Sequence, residues 1–230
     1  MELLAFSPFY TALFIVLTVG FVVQVWRALH GSPALLGGLM LWMLASAAIA
    51  GSGFFLNAAV MPPRFLLLVL PPFALILAVL ATSRSRAWVA RANVAQLTRL
   101  HSVRIAVEIL FYLLFLDGFM PKIMTFEGRN LDIVIGISAV AVYWFGYRQN
   151  LLPRWTLQAW NILGIAVLAV TVFHGIFSAP FPFQRFGFEQ PNVALLHAPF
   201  CWVPGVIVPM VIFNHLAALL QLRTGAENPQ

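Results

Sequence analysis

Pro8-Phe9-Tyr10-Thr11-Ala12-Leu13-Phe14-Ile15-Val16-Leu17-Thr18-Val19-Gly20-Phe21-Val22-Val23-Gln24-Val25-Trp26-Arg27-Ala28-Leu29 contains a single charged side chain, Arg27, close to its end. Coiled as an α-helix with a rise of 1.5 Å per residue, a run of this length reaches roughly 30 Å, the thickness of a bilayer's hydrocarbon core. A strand of a membrane barrel would place a polar side chain at every second position. The unbroken Leu13-Phe14-Ile15-Val16-Leu17 excludes that pattern. The run follows Met1-Glu2 rather than a basic stretch, and no small-x-small site follows it, so it reads as a retained span and not a cleaved leader.

Further apolar runs of this kind follow, at approximately 34–56, 65–82, 103–120, 131–147, 155–178 and 199–222. With 8–29 they predict an all-α integral membrane bundle of about seven transmembrane helices, forming a single domain over 1–230. Composition agrees. Hydrophobic types make up 62% of the 230 residues and charged types 9%, where a soluble domain carries about 25% charged residues. So apolar a chain lacks the polar surface to face water alone, and its first expected partner is the lipid bilayer. The net charge of +6 does not point to nucleic acid, because the basic residues are spread over connections between apolar runs. The lone Cys201 excludes an internal disulfide and a cysteine-based metal cluster within one chain.

Basic residues retained on the cytoplasmic side set orientation. With the N-terminus outside and the C-terminus cytoplasmic, Arg27, Arg84, Arg86, Arg91, Arg99, Arg104, Arg148, Arg154 and Arg223 lie inside, against Arg64, Lys122, Arg129 and Arg185 outside. Much of the asymmetry comes from one connection, 83–102, whose arginines are expected to touch anionic headgroups. That connection divides the chain into about three helices, one linker helix and three helices, with prolines entering the third helix of each triplet: Pro62, Pro63, Pro71 and Pro72, then Pro199, Pro204 and Pro209. Parallel repeats of this type occur in transporters, although prolines also favour helix starts with no duplication behind them. In the second run Ser46, Ala47, Ala48, Ala50, Gly51, Ser52 and Gly53 are all small. Small residues permit close helix packing in lipid, so this helix is expected in the middle of the bundle.

Ionisable and amide side chains within the runs are the candidates for function, since each is costly in hydrocarbon. Glu108 shares a helix face with Arg104 and Tyr112. The assumed topology puts Gln24, Asn161, Asn214 and His215 near its depth, with Gly164 leaving room beside Asn161. These side chains could line a cavity. Alternatively, Arg104 pairs with Glu108 and the amides tie helices together. A second cluster, Asp117, Glu127, Arg129 and Asp132, lies in the connection after the fourth run, where the density of charge, Met and Phe suggests a structured loop. The 6–7 connection adds Gln184, Arg185, Glu189, Gln190, Asn192 and His197 among phenylalanines, suiting either a lid or a plain interfacial loop.

His174 with His197, or His101 or His30 with His215, are the pairs that could in principle bracket a haem iron, but no paired histidines recur at helical spacing within one helix and no Cys-x-x-Cys-His is present. No cofactor or metal is therefore expected. Phosphate-loop, Rossmann, His-Glu-x-x-His and Gly-x-Ser-x-Gly motifs are absent, and the seventh run has no lysine for a retinal Schiff base.

Met124-Thr125-Phe126-Glu127-Gly128-Arg129-Asn130-Leu131-Asp132, Trp160-Asn161-Ile162-Leu163-Gly164, Ser178-Ala179-Pro180-Phe181-Pro182-Phe183 and Trp202-Val203-Pro204, with Pro209 and His215, resemble motifs of uncharacterised bacterial multi-spanning membrane proteins. The resemblance covers the chain from about the fourth run onward. It implies a bacterial inner membrane, in keeping with the lack of Asn-x-Ser/Thr sites, and transfers no activity. The leading expectation is transport or binding of a small molecule or ion within the bundle. The rivals are a membrane-embedded enzyme or redox subunit using the histidines, and a structural subunit of a larger complex. Substrate and oligomeric state are not legible.

Overall fold

A computed structural model describes residues 6–224, which form helices and connecting turns with no strand among them. Met1-Glu2, which bore on the leader reading, lies outside the described residues. In chain order the helices are α1 (Pro8–Ala28), α2 (Pro33–Gly51), α3 (Leu66–Ala81), α4 (Ser83–Val89), α5 (Val94–Leu100), α6 (Val103–Leu116), α7 (Asp132–Ala141), α8 (Arg154–Phe177) and α9 (Val208–Thr224). Wider π turns extend α7 through Val142–Arg148 and lead into α9 through Val203–Ile207.

Local chemistry sets the boundaries. Pro8 and Pro33 occupy first turns, where a missing N–H costs nothing, and the Ser32 hydroxyl accepts from the Leu35 N–H to cap α2. Gly53, at φ 75°, turns the chain out of α2. Thr82 adopts an extended backbone, ends α3 and caps α4 by accepting from the Ser85 N–H. The Arg86 guanidinium then donates to the Leu80 and Ala81 carbonyls at 2.9 and 3.0 Å, satisfying acceptors left open at the end of α3. The result is a bend of 99° between α3 and α4.

Four segments are long and apolar enough to cross a membrane: Pro8–Ala28, Pro33–Gly51, Arg154–Phe177 and Val203–Arg223; the bent pair α3–α4 makes a fifth if counted as one. The runs at 103–120 and 131–147 are built from shorter pieces. The arginine-rich connection expected at 83–102 is correspondingly shorter. Asn93 caps α5, accepting from the Gln96 N–H at 2.9 Å, and α5 buries Val94, Leu97 and Thr98 in the bundle. α5 and α6 follow one another with a break only at His101-Ser102.

The small-residue helix is a correction. α2 lies at the periphery with only 17% of its span buried, and Ala45, Ala48 and Gly51 are exposed. In lipid no hydrophobic penalty forces small side chains inward, so the compositional argument had nothing to enforce it. The helix with the most buried span is Val203–Arg223, 67% buried, which carries the polar pair Asn214 and His215.

Candidate functional site

The connection 117–131 brings the site together. It does not stay at the end of α6. After a 3₁₀ turn at Lys122–Met124 it folds back along α6, so that α7 begins beside residues 104–108. The register is tight: a Cβ on Gly136 would stand 2.9 Å from Ile105 Cγ1 and 3.0 Å from the Ile105 nitrogen. Asp132, expected at the far end of its helix from Arg104, is thereby placed against it.

Arg104 is 3% exposed and donates through Nη2 to Asp132 Oδ1 at 2.8 Å and to the Gly164 carbonyl at 3.1 Å. The expected pairing of Arg104 with Glu108 is thus corrected: they share a face, but the guanidinium turns to α7 and α8. Glu108 is instead held by the Asn130 amide, whose Nδ2 donates to Oε1 and also to the Met124 carbonyl at 3.0 Å. Asn130 Oδ1 accepts from the Thr171 hydroxyl at 2.7 Å and from the Asp132 N–H at 3.1 Å. Asn130 therefore joins both carboxylates to α8.

The chain continues into α9. Asn161 Nδ2 donates to the Leu157 carbonyl at 2.8 Å, which leaves its Oδ1 facing His215 Nδ1, also at 2.8 Å. Nδ1 must then carry the proton, and Nε2 is left to accept from Arg104 Nη1 at 3.4 Å. The space that Gly164 was expected to leave is filled by this ring, since any Cβ on Gly164 would overlap it. His101 stacks on His215 with centroids 3.8 Å apart and planes at 24°. These two rings, one of the histidine pairs weighed for a haem iron, are in face-to-face contact, with no room for a metal between them. His174 packs against Phe173 and Phe186, while His197 Nδ1 lies 2.9 Å from the Val193 carbonyl.

The site has an excess of acid. One guanidinium meets two buried carboxylates, and Asp132 takes it. Glu108 is 1% exposed and its Oε2 has no hydrogen-bond partner among the described residues; neither do Arg104 Nε, His101 Nδ1 or either side-chain atom of Asn214. A carboxylate in such a position holds a proton or takes a cation, because an uncompensated buried charge is far more costly. A cavity of about 90 Å³ adjoins the chain through Thr171 and Met124, lined otherwise mostly by apolar side chains such as Phe111, Val172 and Ile176. Asn192 also lines it, with its Oδ1 unpartnered. About 10–15 Å³ holds one water, whereas sites for drug-sized ligands run to about 300 Å³ or more. This space is too small for a drug-sized ligand, and its polar groups are confined to Thr171 and Asn192.

The other expected site residues are dispersed. Gln24 is half-buried on α1 and its side chain makes no hydrogen bond among the described residues. Asn214 is fully buried. Asp117 Oδ2 accepts from the Tyr10 hydroxyl at 2.7 Å, tying α1 to the end of α6. Glu127 lies 3.5 Å from Lys122 in an exposed pair, and Arg129 is exposed, so neither joins Asp132 in a network. The 6–7 connection does clasp this end of the bundle: Gln190 Nε2 donates to the Phe115 and Met120 carbonyls at 2.7 and 2.6 Å. Asn130 and Thr171 belong to the site but were not among the expected site residues. Asn130 sits between Arg129 and Asp132 in a loop that reads as surface, and only its inward fold exposes its role. Among the described residues no group of three His, Cys, Asp or Glu side chains converges as a metal ligand set.

No curated protein and no solved structure matches the chain. The model of one family, DUF8737, a domain of unknown function, matches residues 61–223, which include the whole Arg104–Asp132–Asn130–Glu108 and His215–Asn161 chain, and this protein belongs to that family.

Proposed function

We propose that this protein is a membrane-embedded carrier or binding protein for a proton or small cation, with Glu108 as the ion-binding group. The observation that carries the reading is the unmatched carboxylate: Arg104 is engaged by Asp132, and Glu108 keeps a free buried oxygen, linked through Asn130 to Thr171 in the wall of a small cavity. Intramembrane carboxylates of this kind mark ion pathways and proton relays. The cavity is too small for a drug-sized metabolite in this conformation. Asn130, Thr171 and Asp132 orient the carboxylate, and His215 and Asn161 hold Arg104 from the other side.

The proposal includes about seven crossings of a bacterial inner membrane, with α5–α6 and α7 with its π extension as the fourth and fifth, the N-terminus outside and the arginine-rich end cytoplasmic. The arginine asymmetry and the absence of Asn-x-Ser/Thr sites support this.

Infrared difference spectroscopy of the purified protein, titrated with acid and separately with sodium and potassium, tests the ion reading. The expected result is a buried carboxyl band that responds to one of these ions and is missing in Glu108→Gln. In proteoliposomes carrying an internal pH dye or cation dye, the same variant should lose the corresponding flux. A spectrum identical in wild type and Glu108→Gln under every ion would end the proposal.

A further inference from the structure

A second, larger cavity shares no wall with the one beside Thr171. It is a cleft of about 420 Å³ between the end of α1, the first half of α2, the proline-containing α3 and the start of α9, walled by Leu29, Gly38, Trp42, Pro72, Trp88 and Met210. Its volume falls within the range of ligand sites, about 300–1,000 Å³. The walls are almost wholly apolar. Trp42 Nε1 is already satisfied by the Gly205 carbonyl at 2.9 Å, so that indole offers the cleft only its ring. Leu75 in its wall is 56% exposed, and Leu77 of the same helix is exposed as well, so the surface of α3 at the cleft is apolar.

Arginines flank one end of the cleft, at Trp88. Trp88, on the perpendicular α4, lies between Arg84 and Arg86 on one side in sequence and Arg91 on the other. The Asn93 N–H donates to the Ala28 carbonyl at 2.8 Å, and Gln221 Nε2 donates to the Val89 and Ala92 carbonyls at 3.1 and 2.9 Å. These bonds fasten the turn after α4 to the ends of α1 and α9, which brings Arg27 to the same end. Arg86 is occupied with the α3 carbonyls. The guanidiniums of Arg27, Arg84 and Arg91 are exposed and have no hydrogen bond or ion pair among the described residues. No described Asp or Glu precedes Glu108 in the chain. An apolar slot open to hydrocarbon and headed by unpaired arginines matches an amphiphile with a hydrocarbon tail and an anionic head.

We infer that the cleft is a binding site for one anionic phospholipid of the surrounding bilayer, its acyl chain between α2, α3 and α9 and its phosphate on Arg84 and Arg91, with Arg27 nearby. This site is independent of the ion reading of Glu108.

The test is native mass spectrometry of the full chain released from nanodiscs of mixed phosphatidylglycerol and phosphatidylcholine. Two variants address the two halves of the site. Gly38→Leu fills the cleft, and a Cβ at Gly38 meets nothing within 4 Å, so the fold has room for it. Arg84→Gln with Arg91→Gln removes the exposed charges at the head. Wild type is expected to retain one phosphatidylglycerol in preference to phosphatidylcholine, and each variant to lose that retention by about tenfold. Equal retention of the two lipids by wild type would overturn the inference. So would undiminished phosphatidylglycerol retention in either variant. Thermal melting of each variant in detergent confirms that a lost adduct is not a lost fold.

Discussion

Arg104 is the hinge of the buried chemistry, because its choice of partner decides what Glu108 is free to do. With Asp132 at 2.8 Å, the guanidinium is compensated without Glu108. Asp132→Leu should therefore be severe: removing one member of a buried pair costs about 3–5 kcal/mol, read as a lowered thermal midpoint or no folded yield. Arg104→Met combined with Asp132→Leu should recover most of that loss, since a buried pair exchanged together for apolar groups is often neutral. A double variant as unstable as the single one would contradict the pairing. Glu108→Gln should fold nearly as well as wild type, because the Asn130 amide keeps an oxygen to donate to. Gly164→Ala presses a methyl into the His215 ring and should cost about 1–3 kcal/mol of stability, accompanied by a shifted His215 imidazole resonance. That Glu108 and His215 carry the interest is legible in the sequence, since both are polar groups in apolar runs. That Asp132 rather than Glu108 would take the arginine is not, because helical spacing puts Glu108 nearer and says nothing of a loop folding inward.

At the scale of elements, the decisive piece is α5. Its sequence, Val94-Ala95-Gln96-Leu97-Thr98-Arg99-Leu100, is short and mixed, and beside the arginines of α4 it reads as connection. Its burial comes from tertiary contact with α1, α7 and α9, which no local pattern records. Asn93 starts it, so Asn93→Ala should weaken α5 by about 1 kcal/mol and speed hydrogen exchange across 94–100, leaving the amides of α8 unchanged. Uniform acceleration across the molecule would mean that the cap holds more than its own helix. The π turns at Val142–Arg148 and Val203–Ile207 are likewise invisible in sequence. They shift register within otherwise helical runs, and the second lies where α9 enters the cleft wall at Gly205.

At the scale of the molecule, reporter fusions should place Ser85 on the cytoplasmic side and Glu127 on the opposite side if the proposed topology holds. A periplasmic signal from a fusion at Ser85 would reverse it. The sequence by itself determined the class of the fold, because runs that long and apolar can satisfy their backbone groups in lipid only as helices. It also carries the arginine asymmetry on which the proposed orientation rests. Only the tertiary structure decided which of those runs are single helices and which are broken. It placed the small-residue α2 at the edge and the polar α9 at the centre, and it bent the loop at 117–131 back until Asn130 and Asp132 met Glu108 and Arg104. The physical reason is common to all three. Hydrophobicity tells a segment to leave water, but inside an apolar solvent it does not say which neighbour to choose. That choice falls to close packing and to hydrogen bonds between polar groups distant in sequence, such as Asn130 with Thr171 and His215 with Asn161.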